Sequence, residues 1–127
     1  MKLYLAGSLF NEAEVNQRKL EGRILRERFP QLDIFNTIDQ PFNENKESLP
    51  SSIEIFEGDA RAVESCDIFI CDLTNEDPGV MTELGMAIYT DTKIIIGINS
   101  DIRLKSANKY DIPTYGMNHF VLGAILR

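Results

Sequence analysis

The 127-residue sequence predicts an α/β fold, a doubly wound, flavodoxin-like (Rossmann-like) parallel sheet with helices on both faces. Three observations predict it. Short apolar runs alternate with helical segments along the chain. Two of these runs, Ile68-Phe69-Ile70-Cys71 and Ile94-Ile95-Ile96, are continuously apolar, as in parallel strands covered on both sides. The composition, 43% hydrophobic and 26% charged, suits one core, so residues 1–127 read as a single domain.

The first strand is Leu3 to Ala6, ended by Gly7-Ser8. Asn11, with Glu14 three residues on, opens a helix through a capping box. Leu20, Ile24, Leu25 and Phe29 carry that helix, and Phe29-Pro30 stops it before Leu32-Asp33-Ile34-Phe35 becomes extended again. From Asn36 to Pro50 the chain is polar and aperiodic and reads as a long loop, the usual place for a lid. Ser51 and Glu54 fit a second capping box, and Ile53, Phe56, Ala60 and Val63 mark the buried face of its helix, with Asp59 at the edge. A helix from about Val80 to Tyr89 separates the two apolar strands, and Asn118 to Leu126 is apolar enough for a packed helix or strand. Ligands of such a fold bind beyond the carboxyl ends of the strands, which puts Gly7 to Phe10 and Asp72 to Gly79 on the functional rim.

Charge and composition exclude several functions. A net charge of −7 repels phosphate backbones and anionic membrane surfaces, so neither nucleic acid nor membrane is an expected partner. No apolar run approaches the roughly 20 residues that span a bilayer, and Met1 to Leu5 lacks the apolar stretch of a signal peptide, which makes a cytoplasmic location the expectation. Cys66 and Cys71 have no His or Cys at ligand spacing and read as reduced core residues, not a zinc site or a disulfide.

The rim is rich in acids. Asp72, Glu76 and Asp77 fall within six residues, Glu83 follows a turn or so into the next helix, and Asp59 comes from the preceding one. Acids near a helix N-terminus commonly serve only as caps and dipole partners. Converging carboxylates can also bind a divalent metal or carry out glycosyl transfer, and spacing alone does not separate these readings. Tyr4, inside the first strand, reads equally as a core residue.

Leu3-Tyr4-Leu5-Ala6-Gly7-Ser8-Leu9-Phe10-Asn11-Glu12-Ala13-Glu14 resembles the opening of nucleoside 2-deoxyribosyltransferases. Asp77 to Gly85 is similar to that family's Asp-x-Gly-x-x-x-Glu-Leu-Gly signature. Asp59, eight residues before Asp67, and Asn118-x-Phe120-x-x-Gly123 resemble two further elements in the same order.

The resemblance implies an enzyme that transfers 2-deoxyribose between nucleobases through a covalent glycosyl-Glu83 intermediate, with deoxyribonucleosides and free nucleobases as its partners and neither cofactor nor metal. It makes Tyr4 the hydroxyl that orients Glu83, Asp59 the proton donor to the base, and Asp77 the acid facing the sugar. Gly7, Phe10 and Gly79 would line the substrate, Phe10 by stacking on the base. Asn118, with Phe120, would complete a neighbouring subunit's site, which requires a homo-oligomer. Two departures bear on base selectivity: Phe120 replaces a common methionine, and the chain stops at Arg127, short of the tail that closes the pocket in longer members. Lone His119 reads as a surface or packing residue.

The nearest rival is a 2-deoxynucleoside 5'-monophosphate N-glycosidase with the same nucleophile and water as acceptor. Its phosphate needs cations or free amides in the loop after the first strand, where this chain is acidic. Rivals of another class are a phosphoacceptor receiver, which lacks its acid pair at Gly7-Ser8, a flavin carrier, which lacks its Ser/Thr-rich loop there, and a non-catalytic nucleotide-binding or regulatory module on the same fold.

Overall fold

The computed structural model describes residues 1–44, 49–101 and 117–127 of the chain. Four strands, β1 (Lys2–Ala6), β2 (Asp33–Asn36), β3 (Ile68–Asp72) and β4 (Ile94–Ile98), run parallel in the order β2-β1-β3-β4. The helices are α1 (Glu12–Arg28), α2 (Pro41–Glu44), α3 (Ser52–Glu64), α4 (Pro78–Tyr89) and α5 (His119–Leu126). The predicted doubly wound α/β architecture is therefore the observed one.

Strand register decides which side chains share a face. Tyr4 pairs with Phe35 and Phe69, and Ala6 with Cys71, so these point the same way. On that side Val63 of α3 and Val80, Leu84 and Ala87 of α4 close the core, with Val121 and Ile125 of α5 packed against it. The rings of Phe35 and Phe69 stack on Tyr4 at centroid distances of 5.1 and 5.5 Å. Both cysteines are free thiols, Cys66 half-buried and Cys71 buried.

On the opposite face α1 approaches through Arg18 and Gly22, its two buried residues. Leu20, Ile24 and Phe29 are exposed, because Gly22 brings the helix down onto the Asn36 side chain and Arg18 fills the space behind Gly7. The Arg18 guanidinium donates to Asp72 Oδ2 at 2.8 Å and to Glu21 Oε1 at 3.1 Å, so this contact is ionic where an apolar stripe would be usual. Ile94, Ile96 and Ile98 are also exposed. The expectation of two-sided cover fails at β4, an edge strand among the described residues.

Two further expectations are corrected. In α3, Ile53 is 69% and Phe56 56% exposed, while Ile55, Asp59, Ala62 and Val63 turn inward. The capping box forms as read, with the Ser51 N–H donating to Glu54 at 2.8 Å, but the helix is rotated so that its first turn faces a cleft and not the core. The expected long loop after β2 holds a 3-10 turn, Thr37–Asp39, and α2, with residues 45–48 outside the described ones. The Asn36 side chain caps the 3-10 turn and the Asn43 amide donates to the Thr37 carbonyl, so polar side chains replace a periodic apolar face and leave no helical signature in the sequence.

Candidate active site

The chain leaves β1 outward to β2 and then returns to β3 on the other side of β1. The loops after β1 and β3 consequently diverge, and a crevice opens between them at the carboxyl ends of the strands. A cleft of about 410 Å³ occupies that position. Gly7, Leu9 and Phe10 line it from the first loop, and Asp77, Gly79, Val80 and Glu83 from the start of α4. Ile55 and Asp59 of α3 form one wall, while Thr37, Phe42 and Asn43 come from the segment after β2.

Asp77 is the N-cap of α4, its carboxylate accepting from the Val80 N–H at 3.0 Å. Capping therefore accounts for Asp77, which nonetheless faces the cleft. It does not account for Glu83, which lies farther along α4 and meets the sheet. There the Tyr4 hydroxyl donates to Glu83 Oε1 at 2.7 Å. Tyr4 has no exposed surface, and its stacked ring fixes where that hydroxyl points. A Cβ on Gly79 would stand 2.9 Å from Asp77 Oδ2, so glycine there leaves the carboxylate its room.

Burial pushes the Glu83 carboxyl from 4.5 up to about 7; the Tyr4 hydrogen bond pulls it down, and the charges of Asp59 and Asp77 push it further up. Burial also raises Asp59. Tyr4 is raised far above its ordinary range, first by burial and then by Glu83 and Asp59, so its hydroxyl keeps its proton. The cleft thus holds one carboxylate poised near neutrality, a second displaced toward its protonated form, and a donor locked on the first. Among the described residues lining it there is no Lys or Arg, and none of the described residues form a cluster of three or more metal-ligating groups.

Of the residues singled out from the sequence, Gly7, Phe10, Asp59, Asp77, Gly79 and Glu83 meet at this cleft, and Tyr4 lies behind it, joined through its bond to Glu83. Phe10 stands at the rim with 78% of its surface exposed. Asn118 and Phe120 do not join them. Asn118 caps α5, its side chain accepting from the Phe120 N–H at 2.8 Å, and Phe120 is 87% exposed. Sequence reading missed Thr37, Phe42, Asn43 and Ile55. Phe42, the one aromatic in an otherwise polar stretch, was the available signal. Thr37 Oγ1 is buried without a hydrogen-bond partner among the described residues, a polar atom on the cleft wall.

The chain has relatives over most of its length. The family model described as nucleoside 2-deoxyribosyltransferase matches residues 3–117. An uncharacterized protein of Ureaplasma parvum is 31% identical over 99% of this chain and 84% of its own length. Among solved structures, a conserved protein from Enterococcus faecalis V583 superposes with a TM-score of 0.81 at 21% identity, covering 99% of this chain and 86% of that one. The 2-deoxyribosyltransferase of Leishmania mexicana superposes with a TM-score of 0.67 at 18% identity, covering 94% and 84%.

Proposed function

The chain belongs to the nucleoside 2-deoxyribosyltransferase family, and on that premise we propose that it moves 2-deoxyribose from one nucleobase to another through a covalent intermediate on Glu83. The observation that carries the proposal is the 2.7 Å bond from Tyr4 to Glu83 in a cleft shared with Asp59 and Asp77.

Glu83 attacks the anomeric carbon of a deoxyribonucleoside from one face of the sugar as the bond to the base breaks. Tyr4 holds Oε1, so that Oε2 makes the attack. Asp59 gives its proton to the departing base, and its raised pKa suits that role; a general acid typically contributes about 10²–10⁴-fold. Asp77 accepts a sugar hydroxyl, and Phe10 offers its face to the base. A second base then attacks the same carbon and takes the sugar, Asp59 recovers its proton, and configuration is retained overall.

An unphosphorylated substrate is favoured because a phosphate would enter a cleft lined by three carboxylates and, among the described residues, by no cation. Asn118, exposed and outside its own chain's cleft, is assigned to the neighbouring subunit's site in a homo-oligomer.

The test is base exchange. Incubation with deoxyinosine and adenine should yield deoxyadenosine, and Glu83→Ala should yield none. Free deoxyribose without exchange would replace the transferase reading with a hydrolase, cleavage confined to deoxynucleoside monophosphates with a phosphate-dependent glycosidase, and no turnover with a binding module.

A further inference from the structure

We propose that Glu14 is a positioning residue for the cleft, which it never touches: its carboxylate locks the loop carrying Phe10 to the loop carrying Asp77. Oε2 accepts from the Ser8 hydroxyl at 2.8 Å and from the Phe10 N–H at 2.9 Å, both in the loop after β1. Oε1 accepts from the Asn75 amide at 2.8 Å, in the loop after β3. One carboxylate thus joins the two loops whose divergence opens the crevice.

The loop after β3 is tied to β4 and the segment beyond it at its start, where the Leu73 N–H donates to the Ile98 carbonyl at 2.8 Å and the Ser100 N–H to Thr74 Oγ1 at 3.0 Å; Asn75 to Asp77 lie past those bonds. The loop after β3 also carries strain, since Glu76 sits at φ 49°, left-handed backbone that a non-glycine residue adopts at a cost, immediately before Asp77. Such a loop keeps its shape only if neighbouring contacts fix it. Two groups on one side of α1, four residues apart, add such contacts. Glu14 takes Asn75, and Arg18 takes Asp72 at 2.8 Å, whose other oxygen accepts from the Thr74 N–H at 2.9 Å. Helix α1 contributes no lining residue, so its influence on the cleft passes through these bonds and through Arg18 packed behind Gly7.

The carboxylate is matched to the task. It accepts three hydrogen bonds from two loops, and they hold its pKa below the ordinary value, chiefly through the Ser8 hydroxyl. An amide in its place has one acceptor oxygen and would present N–H groups to the N–H groups of Asn75. That mismatch provides a swap.

In Asn75→Asp two carboxylates face each other and the link is cut, while Glu14 keeps Ser8 and Phe10. In the double variant Glu14→Gln/Asn75→Asp the donor direction reverses and the link returns. Asn75→Ala removes the donor without adding a charge. Amide exchange is measured on each folded protein without substrate. Asn75→Asp and Asn75→Ala should accelerate exchange of the Phe10 amide about tenfold, although position 75 belongs to the other loop, and the double variant should restore it. Unchanged Phe10 exchange in both single variants, or no recovery in the double, would overturn the coupling.

The kinetic arm rests on the proposed transferase activity. There kcat/KM for base exchange should fall about tenfold in the single variants and recover in the double. Full activity in loosened single variants would deny Glu14 a role in catalysis while leaving it a structural one. Wild-type protein that exchanges no base would sink the transferase reading, whereas the coupling of the two loops would still stand or fall on amide exchange alone.

Discussion

The Tyr4 hydroxyl meets Glu83 Oε1 at 2.7 Å although 79 residues separate the two in sequence. Phe35 and Phe69, on the strands flanking β1, stack on the same ring, so a row of three aromatics aims one hydroxyl at one carboxylate. In Tyr4→Phe the ring stays packed and only the donor is lost. A hydrogen bond to a charged group is worth about 1.5–3 kcal/mol, so kcat should fall about 10–100-fold while the thermal midpoint changes little. Steady-state kinetics beside a melting curve check this, and a collapse of stability would show that the hydroxyl serves the fold.

In the proposed mechanism attack requires ionised Glu83, whose pKa stands at about 7, so activity should fall as pH drops through that value. The neighbours move the midpoint in opposite directions. Tyr4 favours the charged form, so Tyr4→Phe should raise the Glu83 pKa; Asp59 disfavours it, so Asp59→Asn should lower it. A carbon-detected titration of the Glu83 carboxyl reads both shifts without relying on residual activity.

The same group links pH to stability. Its folded pKa lies above the ordinary 4.5, so the folded state holds the proton more tightly, and the resulting stability is complete below about 4.5 and lost as pH rises through about 7. Above that the buried charge costs about 3 kcal/mol, at about 1.4 kcal/mol per tenfold change in proton affinity. Glu83→Gln, which still accepts from Tyr4, should therefore exceed wild type in urea stability by up to about 3 kcal/mol in mild alkali, with little difference in acid. An equal gain at both extremes would contradict the buried charge.

Gly7 faces a buried ion pair. A Cβ there would lie 1.8 Å from Arg18 Nη1 and 2.8 Å from its Cδ, and Arg18 is only 2% exposed, so the side chain has nowhere to go. Gly7→Ala should cost about 3 kcal/mol or more by displacing Arg18 from Asp72, and Arg18→Ala a similar amount by stranding the partner charge. Chemical denaturation of the two variants and their combination should show strongly sub-additive losses, because both break one contact.

The placement of Asn118 yields a complementation test. If it serves a neighbouring subunit, Glu83→Ala and Asn118→Ala are each inactive alone, but mixed subunits combine an intact Glu83 from one chain with an intact Asn118 from the other. Unfolding and refolding the two together should restore about a quarter of wild-type activity in a statistically mixed dimer. No recovery despite mixed assembly would return Asn118 to a capping role.

Much of the fold was legible because its signals are local. The runs around Phe69 and Ile95 declare parallel strands, though not that β4 is exposed on one face, and Ser51 with Glu54 declares a helix start, through groups no more than a few residues apart. Helix phase was not legible in α3. Apolar Ile53 and Phe56 look like core residues, and only the position of the helix over the cleft turns Ile55 and Asp59 inward in their place. Buried Arg18 was missed for a related reason: a charge is read as solvated until its partner, Asp72, is known to stand beside it.

For the acids the division is sharper. The spacing of Asp77, Gly79 and Glu83, together with Tyr4, Asp59 and Asn118 in family order, singled them out in the sequence, yet on spacing alone Asp77 and Glu83 read equally as helix caps. Tertiary structure distinguished them, giving Asp77 the cap and Glu83 the buried hydrogen bond to Tyr4. Capping is settled within one turn of chain, whereas the ionisation of a carboxyl depends on everything that surrounds it. Here that means stacked rings and carboxylates brought together by strand order, which no local stretch of sequence contains.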